Sequence, residues 1–339
     1  MKNEVTRLSR RAVMAGSAAA LGAALVPGRD AVAVPVVAKS AVLMSQEFVL
    51  GDGDVRLAVY RRRMGDKVSR PVLFLAHGSS ISAMPTFDLK VPNGLEYSML
   101  DVFARHGFDV WTMDFEGYGK SSHTGGNSNI DRSVQNIELA WAKIAAETGQ
   151  AKMSLYGESS GALRVGAYAQ THPERVERLG LGSLSYTGEG SPTLAERKKG
   201  MAFLTTHDRR PRDRKMIASI FTRDGDATYD KAVPEALADA ELKVTPDESV
   251  PTGSYVDMVT RLPILDPKKM TMPVLILRGE LDGIATDADV MAFFKDVACP
   301  EREFRLIAGT THAIGWSRSR EVAWASLLNF LQPTALVRS

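Results

Sequence analysis

A pentapeptide, Gly157-Glu158-Ser159-Ser160-Gly161, joins the apolar run Lys152 to Tyr156 directly to a helix-forming segment that begins at Ala162. A Gly-x-Ser-x-Gly sequence between a strand and a helix narrows the fold more than any other feature of the chain. The turn must be tight, and a Cβ at either flank would collide with the neighbouring strand or helix, so both glycines are required. Ser159 is thereby held out of the sheet edge. It also opens a helix, whose free N–H groups and dipole favour negative charge developing on a reacting oxygen.

The remaining strands are read from the same kind of pattern. Residues 47–60, EFVLGDGDVRLAVY, form two alternating runs around Gly51, Asp52, Gly53 and Asp54, the signature of a β-hairpin. Short apolar runs follow at Val72 to Ala76, Asp109 to Met113, Leu179 to Leu184, Val274 to Leu277 and Phe304 to Ile307. Helical segments separate them: Leu95 to His106, Arg132 to Glu147, Ala162 to His172, Ala288 to Ala298 and Arg320 to Leu331. The last carries Val322, Ala323, Leu327 and Phe330 on one side. Alternation of this kind predicts βαβ units, hence an α/β fold with a mostly parallel sheet covered by helices on both faces. No strand of the same type is expected between about Tyr186 and Met270. That stretch reads as a cap inserted into the sheet domain, so the expected organisation is core over 34–185, cap over 186–270 and core again over 271–339.

Charge divides the cap. Residues 197–215 hold eight Lys/Arg against two Asp, and residues 224–248 hold eight Asp/Glu against two Lys. Either the two faces pair with each other, or part of the basic run faces the site and favours a substrate carrying a carboxylate. Over the whole chain Lys+Arg 42 against Asp+Glu 40 gives +2, which argues against nucleic acid and anionic membrane surfaces as partners. The single cysteine, Cys299, excludes an internal disulfide, and no Cys/His cluster of zinc spacing replaces one.

The first 33 residues read as an address. A basic stretch (Lys2, Arg7, Arg10, Arg11) precedes an Ala/Gly-rich apolar run from Ala12 to Val26, and Ala31-Val32-Ala33 offers a cleavage point. The pair Arg10-Arg11 after Ser9 resembles the twin-arginine export signal, which implies the twin-arginine export machinery as a partner and a periplasmic or secreted protein. Its removal takes away five basic and two acidic residues and leaves 37 against 38, close to neutral.

A serine hydroxyl is a poor nucleophile near neutral pH and needs a base with an orienting acid. Of the six histidines, His312 follows the last strand in a loop, Gly309-Thr310-Thr311-His312-Ala313, that leads into the final helix. His77 opens a His-Gly-Ser-Ser turn after the first parallel strand and reads as a shaper of that turn; His106, His123, His172 and His207 lack such placement. After the strand Val274 to Leu277 comes Arg278-Gly279-Glu280-Leu281-Asp282-Gly283, which offers two carboxylates, Asp282 preferred. A metal-dependent hydrolase would need a cluster such as His-Glu-x-x-His, and a dinucleotide enzyme would need Gly-x-Gly-x-x-Gly where this chain has His77-Gly78-Ser79-Ser80-Ile81-Ser82. The chain therefore reads as needing no cofactor and no metal.

Taken together, the order Ser159, Asp282, His312, the His77-Gly78 turn, Asp114-x-x-Gly117-x-Gly119-x-Ser121 and Gly279-Glu280-x-Asp282 resembles the α/β-hydrolase superfamily over roughly residues 47–332, the cap excluded. The resemblance implies an eight-stranded sheet with an inserted helical cap. It also implies Asp282 as the acid with Glu280 structural, and Glu189 in reserve, since some members take the acid from the preceding strand. The oxyanion hole it implies is built from the backbone N–H groups of Ser160 and Ser79, with Ser80 as the alternative. A serine at the elbow sets aside the branches that use an aspartate there. Hydrolysis of a small-molecule carboxylic ester is the expected activity; amides, lactones, thioesters, C–C bonds and perhydrolysis run on the same constellation, and a non-catalytic binding protein can share the fold. The cap offers Met201, Phe203, Leu204, Phe221, Tyr229, Tyr255 and Met258 as apolar pocket candidates, and Tyr118 offers itself from the core.

Overall fold

A computed structural model describes residues 42–65, 68–92, 94–225 and 228–332; the export-signal reading of residues 1–33 lies outside them. The hairpin is formed by β1 (Leu43–Asp52) and β2 (Val55–Met64), which pair antiparallel with Asp52 opposite Val55 across a turn that begins at Gly53, φ 57°. The other apolar runs become β3 (Val72–Ala76), β4 (Asp109–Met113), β5 (Met153–Glu158) and β6 (Val176–Gly182). Two short strands of the cap, β7 (Arg209–Pro211) and β8 (Ser249–Pro251), pair with each other, and β9 (Val274–Gly279) and β10 (Arg302–Ile307) complete the main sheet.

The eight strands of that sheet lie in the order β1-β2-β4-β3-β5-β6-β9-β10, with β2 antiparallel to both neighbours and every other contact among β3, β4, β5, β6, β9 and β10 parallel. Strand β3 shows why two faces are covered. Phe74 and Ala76 join one apolar core with Ile137, Val165 and Phe293, whereas Leu73 and Leu75 join another with Phe103 and Leu327. Those partners place α3 (Ile130–Thr148), α4 (Ser160–Thr171) and α10 (Asp287–Asp296) on one face, and α2 (Met99–Arg105) and α11 (Arg320–Leu331) on the other; α1 (Ala83–Phe87) is a single turn after β3. Buried on both sides, β3 and β4 have no exposed residue at all.

Two sequence expectations need correction. The helix expected from Leu95 begins at Met99, because Ser98 caps it by accepting from the Asp101 N–H at 3.1 Å, and Leu95 is exposed. On α11 the buried stripe runs through Ala323, Trp324, Leu327 and Phe330, which leaves Val322 off it and exposed.

Between β6 and β9 the chain forms α5 (Pro192–Lys199), α6 (Met201–Thr206), α7 (Arg214–Thr222), α8 (Val233–Val244) and α9 (Gly253–Thr260), with the β7/β8 ribbon among them. Its opposite charges pair: Arg214 binds Glu235 and Asp239, each at 2.6 Å, Arg209 meets Asp247 at 3.2 Å, and Arg212 meets Glu241 at 3.1 Å with both side chains fully buried. Glu241 also reaches the loop after β3, where its carboxylate accepts from the Ser82 N–H at 2.9 Å and the Ser82 hydroxyl at 2.6 Å. No described helix is long and apolar enough to cross a membrane.

Candidate active site

At the β5–α4 turn Ser159 has φ 59° and ψ −125°, a left-handed value that a residue with a side chain adopts only under constraint. The flanking glycines supply the constraint. A Cβ on Gly157 would lie 2.2 Å from the Gly161 carbonyl oxygen, and one on Gly161 would lie 2.1 Å from that of Ala76. The Ser159 N–H is fixed by the Gly182 carbonyl of β6 at 2.9 Å, so the elbow is clamped from both adjoining strands.

The loop after β9 brings up Asp282, the candidate acid. Arg278 donates to the carbonyls of Ala285 at 2.6 Å and Asp282 at 3.2 Å, and Glu280 accepts from the Gly309 N–H at 2.8 Å, so both charged neighbours hold the loop. Asp282 accepts from the N–H groups of Ile284 at 2.9 Å and Ala285 at 3.0 Å, and from His312 Nδ1 at 2.8 and 2.9 Å through its two oxygens. Burial opposes ionisation of Asp282, yet the facing His312 and these N–H groups hold its carboxyl below the ordinary range. A carboxylate can only accept, so the His312 proton sits on Nδ1 and Nε2 carries the free lone pair. Nε2 is buried and has no hydrogen-bond partner, and His312 and Ser159 line one pocket. Glu189, the reserve acid, is exposed.

The His77 turn closes the other side. His77 is buried; its Nδ1 donates to the Gly78 carbonyl at 2.8 Å and its Nε2 accepts from the Phe115 N–H at 3.3 Å, both ring nitrogens being spent on backbone. Burial, with the Arg164 guanidinium nearby, holds this ring well below its ordinary pKa, hence neutral. The turn it shapes carries Ser79, whose hydroxyl donates to the Ser160 Oγ at 2.7 Å and accepts from Ser254 at 3.0 Å. Ser79 and Ser160 are thus neighbours beside Ser159. Ser80 pairs with the Tyr255 hydroxyl at 2.7 Å, so cap residues bind both candidate turn serines. Tyr118 braces the turn from behind by donating to the Ser79 carbonyl at 3.0 Å.

Residues 96–199 match the family described as serine aminopeptidase, S33. Similar solved structures include a serine hydrolase from the polyaromatic hydrocarbon-degrading bacterium Cycloclasticus zankles (14% identity, TM-score 0.63, covering 85% of this chain and 98% of that one). An esterase from Exiguobacterium antarcticum is 16% identical, with TM-score 0.61 over 84% of this chain and 99% of its own. A third, 2-hydroxy-6-oxo-6-phenylhexa-2,4-dienoate hydrolase from Rhodococcus sp. strain RHA1, is 16% identical with TM-score 0.60 over 86% and 99%. The fold is that of the α/β-hydrolases. Comparison with curated protein sequences gives no match.

Within this α/β-hydrolase fold the pocket beside Ser159 and His312 is open to solvent on one side, and the space within it, mouth included, is about 570 Å³. None of the cap's seven apolar candidates lines it; five of them, Leu204, Phe221, Tyr229, Tyr255 and Met258, are buried in apolar clusters, and Phe203 is exposed. The cap instead contributes Arg197, Ile220 and Arg223. The core contributes Trp316 and Glu158, neither singled out from the sequence. Glu158 is a variable position of the elbow motif; burial raises its carboxyl although the Tyr156 hydroxyl donates to it at 2.8 Å. Among the described residues no group of three or more His, Cys, Asp or Glu is placed to hold a metal.

Proposed function

We propose that this α/β-hydrolase-fold chain is a serine hydrolase that cleaves a small carboxylic ester. Ser159 attacks the acyl carbon while His312 Nε2 takes its proton, and Asp282 holds the ring in that tautomer and stabilises the imidazolium. The backbone N–H groups of Ser160 and Ser79 receive the oxyanion, each such donor being worth about 2.7–4 kcal/mol in the transition state. His312 then returns the proton to the leaving alcohol, and a water that it deprotonates hydrolyses the acyl-enzyme. The carrying observation is the His312 ring itself, fixed through Nδ1 by a buried carboxylate with Nε2 buried, unpartnered and on the same pocket as a backbone-strained serine. That an esterase and a serine hydrolase share the fold supports the same reading.

Exposure of the full chain to a fluorophosphonate followed by intact-mass measurement tests this without knowing the substrate. One adduct is expected, absent from Ser159→Ala, and ester turnover should drop roughly 10⁵–10⁶-fold in that variant. An adduct that survives the substitution places the nucleophile elsewhere.

We infer further that residues 1–33 direct export by the twin-arginine route to the periplasm or beyond. The support is the Arg10-Arg11 pair ahead of an apolar run too short, at about 15 residues, to cross a bilayer core of about 20 residues. Mass spectrometry of the exported protein should find an N-terminus near Val34, and replacing both arginines by lysine should leave precursor inside the cell. Unchanged export of the double variant would remove the twin-arginine assignment.

A further inference from the structure

Of the basic run 197–215, the members that meet carboxylates do so away from the pocket: Lys199, Arg209, Arg212 and Arg214 bind Glu196, Asp247, Glu241, and Glu235 with Asp239. Arg197 is different. It lines the pocket of Ser159 and His312, and no carboxylate among the described residues lies within ion-pair distance of it. Its guanidinium lies 5.3 Å from the centre of the Tyr255 ring, which Arg210 also faces at 4.8 Å, so an aromatic face holds the group in place without neutralising it. Arg223, the second cation on the wall, is already bound to Asp224 through two contacts of 3.1 Å.

The other acids near the pocket do not supply the missing charge. Asp282 is matched by His312, and the Glu158 carboxyl, raised by burial, is turned to the Tyr156 hydroxyl at 2.8 Å. Guanidinium stays charged at any physiological pH and presents paired donors that suit a planar anion. Apolar groups, Ile81, Ile220 and Ile284, make up much of the remaining wall.

We propose that Arg197 forms an anion subsite of this pocket, and that the substrate is an ester whose acyl or alcohol part bears a carboxylate, such as the half-ester of a dicarboxylic acid. The proposal rests on the serine-hydrolase reading for the reaction but not for the binding. Specificity would follow from desolvation: a neutral diester of the same shape leaves the cation unmatched, whereas the half-ester matches it.

The experiment uses monophenyl glutarate and its neutral methyl ester as probes. In Ser159→Ala, which binds without turnover, the acid is expected to bind at least tenfold tighter than the methyl ester at low salt. That ratio should shrink as ionic strength rises, collapse towards one in Ser159→Ala/Arg197→Gln, and recover in part in Ser159→Ala/Arg197→Lys. Equal affinity for the two probes, or a preference that survives Arg197→Gln, overturns the subsite. Should the glutamine variant not fold, the parent's own acid-to-ester ratio and its salt dependence still decide the matter. Turnover by the unsubstituted protein is read separately: anion-selective binding without hydrolysis or fluorophosphonate labelling sinks the hydrolase reading and keeps the subsite, and hydrolysis without anion selectivity does the reverse.

Discussion

Ser159 occupies a backbone conformation that costs of order 1–3 kcal/mol for a residue with a side chain, and that cost is met by the strands and glycines around it. The strain fixes where the hydroxyl stands; the His312 ring is fixed differently, through Asp282. Because that carboxylate accepts from Nδ1 and from two backbone N–H groups, it can hold one tautomer of His312 only while it remains an acceptor at both oxygens. Asp282→Asn presents an amide in place of one oxygen, and an amide N–H facing Nδ1 would turn the ring the wrong way round. The expected result is a loss of roughly 10⁴-fold in kcat, with KM little changed, because the interaction matters chiefly when the imidazolium forms. Steady-state kinetics alongside a thermal melt would check it; a loss below tenfold in a folded protein would take the orienting role away from Asp282.

At the scale of elements, what could be read from the sequence follows from what each segment buries. Strands β3 and β4 are legible to the residue because all five positions of each are buried, so apolar run and strand coincide. Strand β10 is the edge of the sheet and exposes Glu303, Arg305 and Leu306, so its first two residues do not look like part of an apolar run. In β6 the hidden portion is Val176-Glu177-Arg178, where Arg178 is buried against Glu301 at 2.5 Å and reads as polar until that partner is known. The turns that carry Ser159, Asp282 and His312 can be placed from the sequence because each lies directly after a strand, where the fold's connectivity dictates position. The cap was legible only as an interruption. Its helices pack apolar residues on more than one side, and nothing in their spacing says which side turns to the site, so Phe221 and Tyr255 went to packing while Ile220, Arg223 and Arg197 reached the pocket. Two three-residue strands and four helices of six to nine residues carry too few positions to show a period; only α8, with twelve, is longer.

For the molecule as a whole, the charges that decide function are few beside those that decide stability, and pH separates them. His77 is held neutral and Asp282 ionised in the folded state, so acid costs stability through both, whereas Asp114, raised by burial to about 6, and the buried Glu158 and Glu241 act in the opposite sense. Opposed contributions make the total profile uninformative about any one group, but a comparison of two proteins isolates one. Folded Glu158 binds its proton more tightly than the unfolded chain does. The contribution of Glu158 to the parent's stability therefore falls as pH climbs from the unfolded carboxylate value, about 4.3, to the raised folded value, and holds level above it. Glu158→Gln keeps an uncharged acceptor for the Tyr156 hydroxyl and has nothing to titrate. Urea unfolding at a series of pH values should show the variant gaining on the parent through that window, with no trend below it. A stability difference that is constant with pH, or in which the parent gains on the variant as pH rises, would mean that Glu158 carries its charge in the folded state. The same result would bear on substrate choice: an ionised Glu158 beside His312 would offset the charge of Arg197, while a neutral one leaves the pocket with a net positive wall for an anionic ester to meet.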